Sequence, residues 1–105
     1  MKHIRIISPS GAINPQLILR AQQRLQSWGY HATIGQYAMQ QYGRFAGTAQ
    51  QRLSDINQAL ADPSIDIILC SRGGYGLQQI LDKIILPTRP KYEWPLLVGY
   101  SDITE

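Results

Sequence analysis

Apolar residues recur along this chain with two alternating rhythms. Ile4, Ile6 and Ile7 form a short β-branched run that stops at the turn formers Ser8-Pro9-Ser10-Gly11, which predicts a strand followed by a turn. Asn14-Pro15 then reads as an N-cap with proline at the first helical position. Leu17, Ala21, Leu25 and Trp28 follow at helical spacing, and Gly29 is the expected stop. A second strand is expected over Tyr30 to Ile34, where His31 and Thr33 alternate with apolar residues. Residues 35–47 carry no period and predict a surface loop.

Thr48-Ala49-Gln50-Gln51 fits a capping box, and Leu53, Ile56 and Leu60 supply one apolar helix face that Asp62-Pro63 terminates. Ile65 to Ser71 is nearly continuously apolar, the pattern of a strand covered on both faces. Leu77, Ile80, Leu81 and Ile84 suggest a third helix beyond Gly73-Gly74-Tyr75-Gly76. Prolines 87, 90 and 95 make the next segment a connection, and Leu96 to Gly99 is the last strand. The order β-α-β-α-β-α-β, with a helix starting at the end, predicts an α/β fold. It is a parallel sheet with right-handed crossovers and helices on both faces, a flavodoxin-like or Rossmann-like three-layer sandwich.

Composition narrows the function without naming it. The 105 residues suit one domain, and 44% hydrophobic with 16% charged residues describe an ordinary globular protein. A net charge of +3 is spread over scattered Lys and Arg, so no nucleic-acid partner is expected. No apolar run approaches a membrane span, and the N-terminus lacks a signal peptide's apolar stretch, so no membrane partner is expected either. The single cysteine, Cys70, reads as a buried core thiol and fits a reducing cytoplasm. No His/Cys cluster and only seven dispersed acidic residues argue against a metal; neither G-x-G-x-x-G nor a P-loop occurs, and no cofactor is expected.

Open parallel sheets place their sites outside the carboxyl ends of the strands. Three loops fall there: Ser8 to Gly11, Ser71 to Gly76 and Gly99 to Thr104. The glycines of Arg72-Gly73-Gly74-Tyr75-Gly76 let backbone N–H groups approach an anion or oxyanion, and equally fit a helix entry needing positive φ. Ser101, on a strand-to-helix turn, is a candidate nucleophile. However, Gly99-Tyr100-Ser101-Asp102-Ile103 matches only half of G-x-S-x-G, and Asp102 with Glu105 also reads as a helix cap. The only histidines, His3 and His31, stand at strand starts, at the edge opposite Ser101, and make no base for it.

Taken together, four segments resemble the N-terminal half of the LD-carboxypeptidase family of serine peptidases, which includes the microcin C immunity peptidases. They are Ser8-Pro9-Ser10-Gly11, Gly43-Arg44-Phe45-Ala46-Gly47-Thr48 with Arg52, Ser71-Arg72-Gly73-Gly74-Tyr75-Gly76, and Val98-Gly99-Tyr100-Ser101-Asp102-Ile103-Thr104. The resemblance covers essentially the whole chain, and Ile103 is normal for the family. It implies that Ser101 is the nucleophile and that the backbone N–H of Asp102, with that of Gly73 or Gly74, forms the oxyanion hole. It makes Arg72 and Ser10 candidate substrate contacts, Arg72 for a carboxylate, although a solvated or structural arginine reads as well. The family's glutamate and histidine partners would lie in a C-terminal domain outside this chain, which would be inactive alone. The implied substrate is a murein tetrapeptide that loses its terminal D-alanine during cytoplasmic cell-wall recycling. The alternatives are an immunity-type peptidase of the same family and a non-catalytic α/β ligand-binding domain. A truncated domain with an uncovered sheet face should also self-associate, so a homo-oligomer is expected.

Overall fold

The structure is a computed structural model that describes residues 2–9, 11–43, 45–71 and 83–98. The described elements run β1 (His3–Ile7), α1 (Pro15–Ser27), β2 (His31–Ile34), α2 (Ala49–Ala61), β3 (Ile67–Cys70) and β4 (Leu96–Val98). A short 3-10 turn, Lys91–Glu93, lies in the proline-rich connection before β4. The four strands form one sheet in the order β2-β1-β3-β4, and every pairing is parallel. This is the α/β sheet that the alternation of periods predicts. Of the expected third helix, Leu77, Ile80 and Leu81 lie outside the described residues, while Ile84, its last expected position, is not helical and packs on the core.

Successive strand residues point to opposite faces, and β1 feeds both layers. Ile6 packs with Ile18 and Ala21 of α1, while Ile7 packs with Ile56 and Ala59 of α2 and with Ile65, Ile68 and Cys70. The two helices therefore cover opposite faces. Burial on both sides explains why β3 reads as a nearly unbroken apolar run and why Ile6 and Ile7 of β1 are apolar at successive positions.

Local chemistry sets the helix ends. Asn14 Oδ1 accepts the Gln16 N–H at 2.9 Å ahead of Pro15. Thr48 and Gln51 form the reciprocal capping box, with Gln51 N–H to Thr48 Oγ1 at 3.1 Å and Thr48 N–H to Gln51 Oε1 at 2.9 Å. Gly29 takes φ +93° directly after α1, where a side chain would be strained.

Two apolar faces differ from expectation. Trp28 is 66% exposed, because α1 ends at Ser27 and the capping backbone turns its ring off the buried stripe. On α2 the fully buried positions are Arg52, Asp55, Ile56 and Ala59, with Leu53 and Leu60 only partly buried beside them. Among the described residues, no helix is long and apolar enough to cross a membrane.

Ile68, fully buried at the centre of β3, tests this core. Ile68→Ala removes packed methyl groups where the sheet cannot collapse, and should lower unfolding free energy by about 3 kcal/mol in urea titrations. A loss below about 1 kcal/mol would show that β3 is not packed as described.

Candidate active site

The chain leaves β1 for β2 on one side of it, then crosses to β3 on the other. The carboxyl ends of β1 and β3 thus flank the point where strand order reverses, and open α/β sheets hold their ligands at such points. Ser8 and Pro9 leave β1 there and Ser71 leaves β3; all three are buried. Ser71 N–H donates to Ile7 O at 2.8 Å, extending the β1–β3 ladder by one bond. The Ser8 and Ser71 hydroxyl oxygens then meet at 2.6 Å, a short hydroxyl pair that ties the two exits together.

Arg52 fixes the next residues along. Buried to 2% exposure near the start of α2, it donates from Nε to Gly47 O and from NH1 to Pro9 O, both at 3.3 Å. Its guanidinium lies 4.6 Å from the centroid of the Phe45 ring, and Phe45 forms antiparallel bridges with Gly11 and Tyr42. The 9–11 turn is therefore strapped to the 42–47 segment from below. Burial lowers the guanidinium's pKa, yet an arginine keeps its charge, so a cation stands under the β1 turn.

Segment 35–47 is exposed over residues 39–43, as its lack of period predicts, but Gly35, Ala38, Ala46 and Gly47 are buried. Asp55 supplies the reason. Its Oδ2 accepts the Tyr37 N–H at 2.9 Å, pinning the turn that follows β2 against α2. The carboxylate fits only because residue 35 is glycine. A Cβ there would stand 2.8 Å from Asp55 Oδ2 and 3.1 Å from Ile7 Cγ2. Asp55 Oδ1 has no hydrogen-bond partner among the described residues, and burial pushes the carboxyl's pKa upward against the backbone N–H groups of Tyr37 and Gln36 and the charge of Arg5.

Cys70 lies just before Ser71, but burial pushes its thiol up to about 11, so it remains protonated and makes a core residue, not a nucleophile. His3 and His31 begin β1 and β2, at the edge opposite Ser8 and Ser71. At about 3.3 Å per residue, the length of β1 puts roughly 16 Å between the two edges. Among the described residues no group of three His, Cys, Asp or Glu could hold a metal. A surface groove of about 450 Å³ is lined from the second half of α2 and residues 85–89, away from the switch point.

Of the candidate site residues, Ser10, Arg72, Gly73, Gly74, Ser101 and Asp102 lie outside the described residues. What the structure brings together is their neighbours in the chain. Ser8, Pro9 and Gly11 flank Ser10, Ser71 precedes Arg72, and β4 ends at Val98, paired with Leu69 on the same edge. Sequence reading missed Ser8, Ser71, Arg52 and Asp55 as the residues that hold this edge. One signal was present: Arg52 and Asp55 fall at i and i+3 on the stripe of Ile56 and Ala59, where charged residues are out of place.

Fold and site together define an α/β protein of the open parallel-sheet class whose strand order reverses between β1 and β3. The chain belongs to the LD-carboxypeptidase family, whose N-terminal domain profile matches residues 4–105. It is 37% identical over 102 residues to a putative carboxypeptidase of Synechocystis sp., covering 96% of this chain and 33% of that protein. It is 31% identical over 101 residues to the murein tetrapeptide carboxypeptidase of Pseudomonas aeruginosa, with coverage of 96% and 33%. The solved muramoyltetrapeptide carboxypeptidase of Oxalobacter formigenes superposes with a TM-score of 0.75 at 30% identity, over 96% of this chain and 33% of that one. The microcin C7 self-immunity protein shares the fold, with a TM-score of 0.80 at 21% identity over 96% and 31%. The chain spans about a third of the length of the curated relatives it matches.

Asp55 gives a test of this edge. Because its folded pKa is raised above the ordinary 3.8, the folded state favours the proton, and the stability this contributes is lost as pH rises through the folded value. Asp55→Asn keeps an acceptor for Tyr37 N–H without the buried charge. Its melting temperature should exceed the wild type's at pH 7 and converge with it near pH 3. A variant less stable than wild type at pH 7 would show that the carboxylate is needed as an anion.

Proposed function

We propose that this chain is the nucleophile-bearing N-terminal domain of a serine LD-carboxypeptidase that acts in the cytoplasm, releasing the terminal D-alanine of a murein tetrapeptide in cell-wall recycling. The observation that carries the reading is the pairing of family membership with Gly-Tyr-Ser-Asp-Ile-Thr directly after β4, at the carboxyl edge where Ser8 and Ser71 meet. In this reading Ser101 Oγ attacks the carbonyl carbon of the bond to D-alanine while a histidine takes its proton. The backbone N–H of Asp102 and that of Gly73 or Gly74 bind the oxyanion of the tetrahedral intermediate. The histidine returns the proton to the leaving amine, D-alanine departs, and water hydrolyses the acyl-enzyme. The histidine, oriented by a glutamate, comes from the remaining two thirds of the family's length. Arg72 and Ser10 contact the substrate, Arg72 through a carboxylate. The Ser8–Ser71 pair and Arg52 keep the loops bearing these groups in register.

In a protein carrying this chain ahead of the remaining two thirds, Ser101→Ala should lower kcat on murein tetrapeptide by about 10³-fold or more. The chain alone should show no turnover above background. A near-wild-type kcat in the variant removes Ser101 as nucleophile. Preference for an aminoacyl sulfamoyl nucleotide over the tetrapeptide assigns the chain to the immunity-type branch instead.

Self-association belongs to the same reading. β4 is the last described strand of the sheet, and its Leu96 and Leu97 are 62% and 54% exposed, an edge of the kind that pairs with other chains. Light scattering on the isolated chain should show particles larger than the monomer, and Leu97→Lys should reduce their mass. A monomer at about 100 μM, a concentration at which exposed strand edges commonly associate, would contradict this.

A further inference from the structure

At the amino edge of the sheet, across the strands from the serines, β1 and β2 each begin with a histidine. His3 and His31 are register partners, and their rings meet with centroids 4.5 Å apart and planes inclined by 47°. Two residues on, Arg5 and Thr33 are partners on the same face. Three basic side chains thus crowd one end of one strand pair.

The hydrogen bonds fix the proton arrangement at His3. Arg5 Nε, which can only donate, gives its hydrogen to Thr33 Oγ1 at 2.7 Å. The hydroxyl's own hydrogen is then free for His3 Nε2, also 2.7 Å away. We assign the ring hydrogen to Nδ1 on this ground, facing Ser64 Oγ at 3.5 Å. A proton added at Nε2 would meet a hydroxyl already turned toward it, beside a guanidinium. Burial, the His31 ring and Arg5, in that order, hold the His3 pKa below its ordinary 6.5, with Asp62 and Ser64 acting the other way. Asp66, the other acid on this side, has its Oδ2 engaged by the His3 backbone N–H at 2.8 Å.

β2 has β1 as its one strand neighbour among the described residues. Its carboxyl end is held by Gly35 N–H to Ile6 O at 2.8 Å and by Ile34 in the α1 core, while nearer the amino end Gln22 of α1 donates to Ala32 O at 2.9 Å and leaves only the His31 end to the latch. We propose that the His3–His31 pair is a proton-operated latch: with His3 neutral the amino end of β2 stays on β1, and a proton on the His3 ring, beside Arg5 and against the His31 ring, drives that end apart. The only chemistry is addition of a solvent proton to a ring nitrogen. The opened end binds protons more readily than the closed one. Closure is therefore complete above about pH 6.5 and weakens as pH falls through the lower value of closed His3. The latch stands apart from the peptidase reading.

The test is an NMR titration of both histidines on this chain between pH 7.5 and 5.0, with amide hydrogen exchange at two positions of β2 and its exit. The His31 amide, bonded to Lys2 O at 2.9 Å, reports the latch end, and the Gly35 amide reports the far end. Corrected for intrinsic exchange, protection at the His31 amide should fall severalfold as pH drops from 7.5 to 5.0, while that at Gly35 holds. His31→Gln alters an exposed residue; it should raise the His3 titration toward 6.5 and flatten the protection at position 31. His3→Gln should flatten it too. His3 titrating at or above 6.5 in the wild type, an equal fall at both amides, or an undiminished fall in either variant overturns the latch.

Discussion

Strand β1 stands between β2 and β3, and both helical layers rest on it. It is hydrogen-bonded on both sides, and its adjacent residues Ile6 and Ile7 seed the two cores under α1 and α2. Where both faces are covered, at Ile6 and Ile7, the strand is apolar at successive positions, while His3 and Arg5 toward its amino end are only partly buried. Its position also decides where function can lie. The chain departs to β2 on one side and to β3 on the other, so the strand order reverses at the carboxyl ends of β1 and β3, the kind of point at which open α/β sheets hold ligands. At that point the Ser8 and Ser71 hydroxyls close on each other.

The two edges of the sheet are built from different chemistry. The carboxyl edge is nearly dry, with serines, Arg52 and Asp55 all below 5% exposure and fixed by backbone groups. Polar groups held that way are rigid, since each lost bond would strand a buried partner. The amino edge is half-open and carries the histidines, where protons come and go with solvent. Separating these chemistries by the length of β1 lets one edge respond to pH without disturbing the other.

Asp55 and Gly35 show how far packing can override sequence pattern. Residues 36–47 have no hydrophobic period, so nothing local predicts that Ala38, Ala46 and Gly47 turn inward while residues 39–43 stay exposed. The turn after β2 is held because a carboxylate on α2 offers an acceptor and Gly35 leaves room for it. Arg52 does the same for the 45–47 segment and the β1 turn, using carbonyls 38 residues apart in sequence, on Pro9 and Gly47.

The sequence by itself determined the order of elements and the parallel sheet, because a period of two or of 3.6 and a capping residue are local properties. Asn14-Pro15, Gly29 and the Thr48–Gln51 box each act within a few residues, and each is where the pattern puts it. The same locality explains the errors. Trp28 continues the helical spacing, but the helix ends one residue earlier, and spacing cannot see a capping backbone. The residues that hold the site edge were not legible, since Ser8 and Ser71 are 63 positions apart and touch only because β1 and β3 are sheet neighbours. The placing of His3 against His31 depends likewise on register. Tertiary structure alone decided these contacts, because strand order and register set which distant side chains share one edge.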